Sequence, residues 1–264
     1  MIEYFKAVRS YLGKYLDNFK VLVALNQMIG ISYFRKFGSN DNTTTTNREV
    51  LDFYTNDTNT YNGWYDVNTQ LYLISSSVSD TTQTILISGI KEVEGDWIET
   101  NEQFALNGTT AVNVGSWLRV YRLRVVAPHT ALVGNIYVST GIIVPTDSNN
   151  IAAAIMLKTN GKSKNTTKMG IFTTPTNKGA MLERVFISSI SNKVGVFELE
   201  ARPRGGDWTS LADFTQNDSN EYEANYEYIP SETDIRLNSY YESGSGKTAT
   251  SLQFYLVDKD KRIS

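Results

Sequence analysis

The sequence predicts a mainly β protein: two β-sandwich, jelly-roll-like domains preceded by an amino-terminal amphipathic helix. Three observations carry this expectation. Apolar residues make up 41% of the 264-residue chain, enough to build a core rather than a disordered chain. Asn, Thr, Ser and Tyr are abundant while prolines number only five, a bias that suits many short strands joined by polar turns. Helical spacing of apolar residues is well developed only in residues 1–27, and short apolar runs at strand-like spacing follow it.

In the first segment Ile2, Phe5, Val8, Leu12, Tyr15, Leu16, Phe19, Leu22 and Val23 recur at three- and four-residue steps and share one helical face. Lys6, Arg9, Lys14, Asp17 and Lys20 fall largely elsewhere, and Gly13 weakens the middle by about 1 kcal/mol. Two readings stay open: a helix packed on its own body, or an arm inserted into a neighbouring subunit. The second makes Phe5, Val8, Leu12, Leu16 and Phe19 the candidate partner-binding residues. The basic face is too modest to favour a membrane-surface helix.

The helical arm is assigned to residues 1–36, the first β-sandwich to 37–146 and the second to 147–264. Gly38–Thr46 reads as a polar linker, and Thr146-Asp147-Ser148-Asn149-Asn150 as the break between domains. In the first domain, strands are expected at Gln70–Ser75, Thr84–Ile90, Trp97–Leu106, Leu118–Val126 and within Gly134–Val144. Asn107-Gly108 is the strongest short hairpin signal, because both residues tolerate positive φ. In Leu118–Val126, Leu118, Val120, Leu123 and Val125 stand against Arg119, Arg122 and Arg124, which gives the strand a solvated or salt-bridged side. Residues 159–168 read as a basic, mobile loop. Further strands are expected at Met169–Phe172, Met181–Ile190, Val194–Ala201 and Ser251–Val257, with turn signals at Arg204–Asp207 and Gly244–Gly246.

Several function classes are disfavoured. The chain has no cysteine and one histidine, His129, in the loop-like context Ala-Pro-His-Thr-Ala. Thiolate metal sites and cysteine catalysis are excluded, and a Cys/His zinc site lacks its ligands. A net charge of −3 gives no reason to expect nucleic acid. No apolar run approaches the roughly 20 residues of a membrane span, and no secretory h-region follows a basic start. Gly244-Ser245-Gly246-Lys247-Thr248 superficially resembles a phosphate loop, but it lacks the first glycine and a β-like segment follows. Glu92, Glu94, Asp96 and Glu99 surround Trp97 and read as solvated carboxylates rather than a glycosidase pair. Asn40-Asp41-Asn42, Asn56-Asp57 and Asn217-Asp218 lack EF-hand spacing, so no cofactor is expected.

One series of motifs reaches beyond fold class. Thr84–Ile90, Trp97-Ile98-Glu99-Thr100, Phe104–Val112 and Trp117-Leu118-Arg119-Val120-Tyr121-Arg122 are followed by Glu200-Ala201-Arg202-Pro203-Arg204-Gly205-Gly206 and Ile229–Leu237. In this order they resemble a recurrent pattern in virion structural proteins of tailed double-stranded DNA bacteriophages, notably marine ones. The likeness spans roughly residues 70–257; the lead helix and the region near Pro145 depart from it.

The resemblance implies a non-enzymatic virion component, capsid-associated as a decoration, vertex or minor capsid protein. Its partners would be other virion proteins and further copies of itself, with neither nucleic acid nor membrane, and its place the particle, assembled in the host cytoplasm. The rival reading is a fibre or spike module that binds a surface glycan through exposed aromatics around Trp64 or Tyr240.

Overall fold

Strand alternation organises this chain. The computed structural model describes residues 30–51, 61–128, 131–146, 150–157, 165–190, 194–216 and 219–259. Among them are sixteen strands and no helix: β1 (Ile31–Thr43), β2 (Arg48–Glu49), β3 (Thr69–Ser75), β4 (Thr84–Val93), β5 (Asp96–Ala105), β6 (Val112–Trp117), β7 (Arg119–Ala127), β8 (Ile136–Ser139), β9 (Ile151–Ile155), β10 (Ile171–Thr173), β11 (Lys178–Ile190), β12 (Gly195–Pro203), β13 (Thr209–Gln216), β14 (Ser219–Ile229), β15 (Thr233–Tyr241) and β16 (Gly246–Asp258). The mainly β expectation is met. The amphipathic helix at 1–27, with Phe5, Val8, Leu12, Leu16 and Phe19, lies outside the described residues. The far end of the expected helical arm is corrected: residues 31–36 open β1, whose Ile31 pairs with Val257 and Lys36 with Leu252.

The strands form four sheets, ordered β1-β16-β11-β14, β10-β15-β12-β13 with β2 also on β15, β6-β3-β8-β9, and β5-β4-β7. Their membership crosses the expected boundary at residues 146 and 147. Strands β1 and β2, from the amino-terminal part, pair with β16 and β15. Strand β9, from beyond the boundary, pairs with β8. One unit is therefore built from β1, β2 and β10–β16, and the stretch β3–β9 is inserted into it between β2 and β10. Both of those short strands lie antiparallel to β15, β10 at Asp234–Arg236 and β2 at Asn238–Ser239. Val50 and Gly170, which flank the insertion, hydrogen-bond each other at 2.8 Å.

Period-two patterning explains the individual strands. In β12 the buried side of Phe197, Leu199 and Ala201 alternates with half-exposed Glu198 and Glu200. Central β15 is buried almost throughout, as expected of a strand covered on both faces. The buried apolar residues of all four sheets form one contiguous core. Phe172 of β10 ties its layers together, 4.4 Å between ring centroids from Phe34 of β1, 5.8 Å from Phe254 of β16 and 5.2 Å from Tyr121 of β7.

Two turns differ from the sequence expectation. Asn107-Gly108 does not close a hairpin: β5 before it pairs with β4, and β6 after it pairs with β3. It carries the chain from one sheet to another. Gly108 (φ 58°) donates to the Asp80 carbonyl at 2.8 Å and accepts from the Ser75 amide at 3.0 Å. The actual hairpin joins β4 and β5 through Glu94-Gly95, both at positive φ (54° and 90°), with Val93 facing Asp96. This is the primed two-residue turn that matches strand twist.

Candidate functional site

Strand β7 is hydrophobic on its core side and carries arginines between. A β-bulge changes that alternation: against β4, Ser88 faces Arg122 but Gly89 faces Val120, so one extra residue enters β7. Val120 and Tyr121 are consequently both buried, and Arg119 is turned inward, 3% exposed. The close approach of β4 and β7 requires the glycine of the first motif. A Cβ on Gly89 would lie 2.0 Å from the Arg119 carbonyl oxygen.

Burying a guanidinium is costly unless it is paired and hydrogen-bonded. Arg119 finds its partner in Asp234 of β15, itself buried. Its Nε donates to Oδ1 at 2.9 Å and its Nη2 to Oδ2 at 2.8 Å, the two-pronged geometry that makes such pairs strong. Nη1 donates to the carbonyls of Leu118 (2.7 Å) and Tyr65. Asp234 also accepts from Arg202 Nη2 at 2.7 Å and Thr173 Oγ1 at 2.8 Å. One carboxylate thus gathers β7 of the inserted stretch with β10, β12 and β15 of the surrounding unit.

Three of the chain's four tryptophans interleave with these cations. Arg204 and Arg119 each lie 5.5 Å from the Trp97 ring centroid. Arg119 lies 5.4 Å and Arg202 5.5 Å from Trp64. Arg202 and Arg236 stand 4.8 and 4.0 Å from Trp208. Acids neutralise both ends: Arg204 reaches Glu92 at 2.5 Å, while Arg236 reaches Glu200 at 2.6 Å and Glu49 at 3.2 Å. Reciprocal hydrogen bonds between Trp97 and Thr176, 2.7 and 2.9 Å, pin the β4–β5 hairpin to the turn before β11. Burial raises the phenol of Tyr65, half-exposed here, to about 12 against the opposing pull of Arg119, and raises Tyr61 further still.

Charged and aromatic residues from several of the quoted sequence motifs therefore meet at one place. Trp97, Arg119, Arg202, Arg204, Asp234 and Arg236 come from four separate motif segments. Sequence reading places Arg119 on a side that is solvated or salt-bridged, and the second holds. Its partner Asp234, 115 positions away, has no local signal beyond a charged residue inside an apolar strand. Trp64 does not offer a flat stacking platform: it meets Trp208 at 70° and Tyr61 at 79°, with Arg119 and Arg202 against its ring.

Other sequence candidates resolve differently. Gly244–Thr248 is a turn entering β16, as the following β-like segment predicts, and Thr248 Oγ1 lies 2.6 Å from Thr43 Oγ1 and 3.0 Å from Ser239 Oγ. His129 lies outside the described residues, among which no group of three or more acids or histidines is placed to hold a metal ion. No described helix is long and apolar enough to cross a membrane. The end of the basic loop is not free: Thr166 bridges to Arg124, and Thr167 donates to the Leu123 carbonyl at 3.0 Å.

No family model and no curated protein matches the chain. Among solved structures, a mitogen derived from Yersinia pseudotuberculosis aligns at 14% identity over 36% of this chain and 86% of that one, TM-score 0.22. Infectious bursal disease virus, Gt strain, aligns at 9% identity over 88% and 73%, TM-score 0.21. The VP2 subviral particle of the same virus aligns at 10% over 86% and 71%, TM-score 0.20. Likenesses at these scores carry no weight for fold or function.

Proposed function

We propose that the chain is a non-enzymatic structural component of a virus particle, capsid-associated and in contact with neighbouring virion subunits, and that β1, β2 and β10–β16 form a jelly roll. Strand order is the observation that supports this. With β2 and β10 taken together as the second strand position, the remaining strands of that unit number on to eight. The two sheets then read 1-8-3-6 and 2-7-4-5. Each position n pairs with position 9 − n, as in a long antiparallel hairpin rolled up on itself. Jelly rolls, found in viral capsid and lectin domains, are connected in this way, which supports the reading.

Fold by itself does not fix function. The virion reading draws its second support from the sequence motifs, whose charged residues meet at the Asp234 junction. That junction ties β7 to β10, β12 and β15, a cross-link that suits a body packed in many copies.

Mass spectrometry of purified particles from the infected host tests the proposal. The chain is expected among the particle proteins in stoichiometric amount; its absence overturns the reading. Deleting residues 1–27 tests the arm separately: loss of incorporation supports an anchoring arm, and normal incorporation rules it out. Glycan-array binding by the folded chain would favour the lectin branch of the same fold instead.

A further inference from the structure

We propose that the cleft between β1 and β7 is a binding site for a phosphate or sulfate group. The cleft has a volume of about 560 Å³ and is lined by Arg35, Lys36 and Phe37 of β1, by Arg122, Arg124 and Val125 of β7, and by residues 165–167. Three of the lining side chains, Arg35, Arg122 and Arg124, are guanidinia that reach solvent and none is acidic, in a chain whose net charge is −3; the fourth basic residue, Lys36, is buried at 2% exposure.

The hydrogen bonds these cations make go to neutral groups. Arg35 Nε donates to Ser251 Oγ at 2.7 Å, and Arg122 Nη2 to the Arg35 carbonyl at 2.8 Å. Lys36 donates to the Tyr121 carbonyl and stands 5.2 Å from that ring's centroid. Arg124 is exposed at the rim. Among the described residues no carboxylate forms an ion pair with any of the four. Glu99, the acid whose field reaches Arg122, is already engaged by the Tyr121 hydroxyl at 3.1 Å and by Lys178 at 3.7 Å.

Like charges so arranged repel one another, and an anion between them relieves the repulsion. Burial, and after it the charge of Arg122, pulls the Lys36 pKa well below its usual range and so favours its neutral amine, which leaves Arg35, Arg122 and Arg124 as the charges at the cleft; burial and the neighbouring charge of Arg124 lower Arg122 as well. Phe37 and Val125 line the same walls, and low-dielectric walls strengthen the field felt by a bound anion. Guanidinia arriving from two strands suit a tetrahedral oxyanion, which offers oxygens in several directions; a carboxylate offers two in one plane.

The test is isothermal titration of the full chain at fixed ionic strength, since phosphate and sulfate also stabilise proteins by exclusion from their surfaces. The probes are pyrophosphate, inorganic sulfate and a sulfated disaccharide. At least one should bind saturably at one site per chain. Arg124→Ala should weaken it several-fold and Arg35→Ala with Arg124→Ala at least tenfold, while Lys259→Ala, at an exposed position elsewhere, leaves it unchanged. Binding of pyrophosphate alone identifies a phosphate ligand, and binding of the disaccharide alone a sulfated sugar. The proposal is overturned if no probe saturates, or if the double variant weakens binding no more than Lys259→Ala does. Arg124→Ala by itself decides the matter should the double variant unfold.

Discussion

Arg119 and Arg124 belong to the same strand yet meet opposite fates. Arg119 is sunk beneath two tryptophans and clamped on both prongs by Asp234. Arg124 stands at the rim of a cleft lined with cations and without an acid. The difference lies in what the neighbouring strand supplies. Strand β15 presents a buried carboxylate to the start of β7, whereas β1 meets β7 at Tyr121 and Arg122 and brings Arg35 to the cleft. A buried guanidinium has to be answered from within the fold; an exposed one can be left for something outside it.

Breaking the first half of this contrast should have the largest effect. Asp234→Asn keeps the shape but leaves Arg119 and Arg202 facing each other without an anion, and should cost about 3–5 kcal/mol in urea unfolding. Replacing Arg119 and Asp234 together by apolar residues of similar volume should restore most of that loss. A smaller loss comes from the backbone. Gly89→Ala forces β4 away from the Arg119 carbonyl and should cost about 1–3 kcal/mol, with amide exchange quickened across β4 and β7. Trp208→Ala removes the ring shared by Arg202 and Arg236, both in reach of solvent, and should cost about 1 kcal/mol. At the other end of the strand, Arg124→Ala should change stability by no more than about 0.5 kcal/mol. Equal losses at Asp234 and Arg124 in the same unfolding experiment would abolish the distinction between lock and open site.

How much of this was legible beforehand depends on distance along the chain. Strands such as β4, β5 and β12 announce themselves because period two is a local property. The turn chemistry was legible in kind but not in partner: Asn107-Gly108 has the residues of a hairpin yet connects two sheets, while Glu94-Gly95 makes the hairpin with an amino-terminal residue less suited to positive φ. The division at residue 146 fails for a related reason. β1 pairs with β16 across most of the sequence, and nothing in either segment names the other. At the junction, the motif arginines stood out as charges within apolar strands, but their convergence on one aspartate is a fact of the fold.

The insertion of β3–β9 has a consequence of its own. The chain leaves the surrounding unit after β2 and returns at β10, both on the same side of β15, with Leu51 bridged to Met169 and so roughly 5 Å apart. Departure and return share one doorway. A stretch attached in that way can be lengthened or exchanged without rerouting any other strand, because the sheet sees only a short gap between two pieces of one position. The outer unit is therefore a frame and the insert a panel hung in it, with the pair between Arg119 and Asp234 as the fastening that any exchanged panel has to keep.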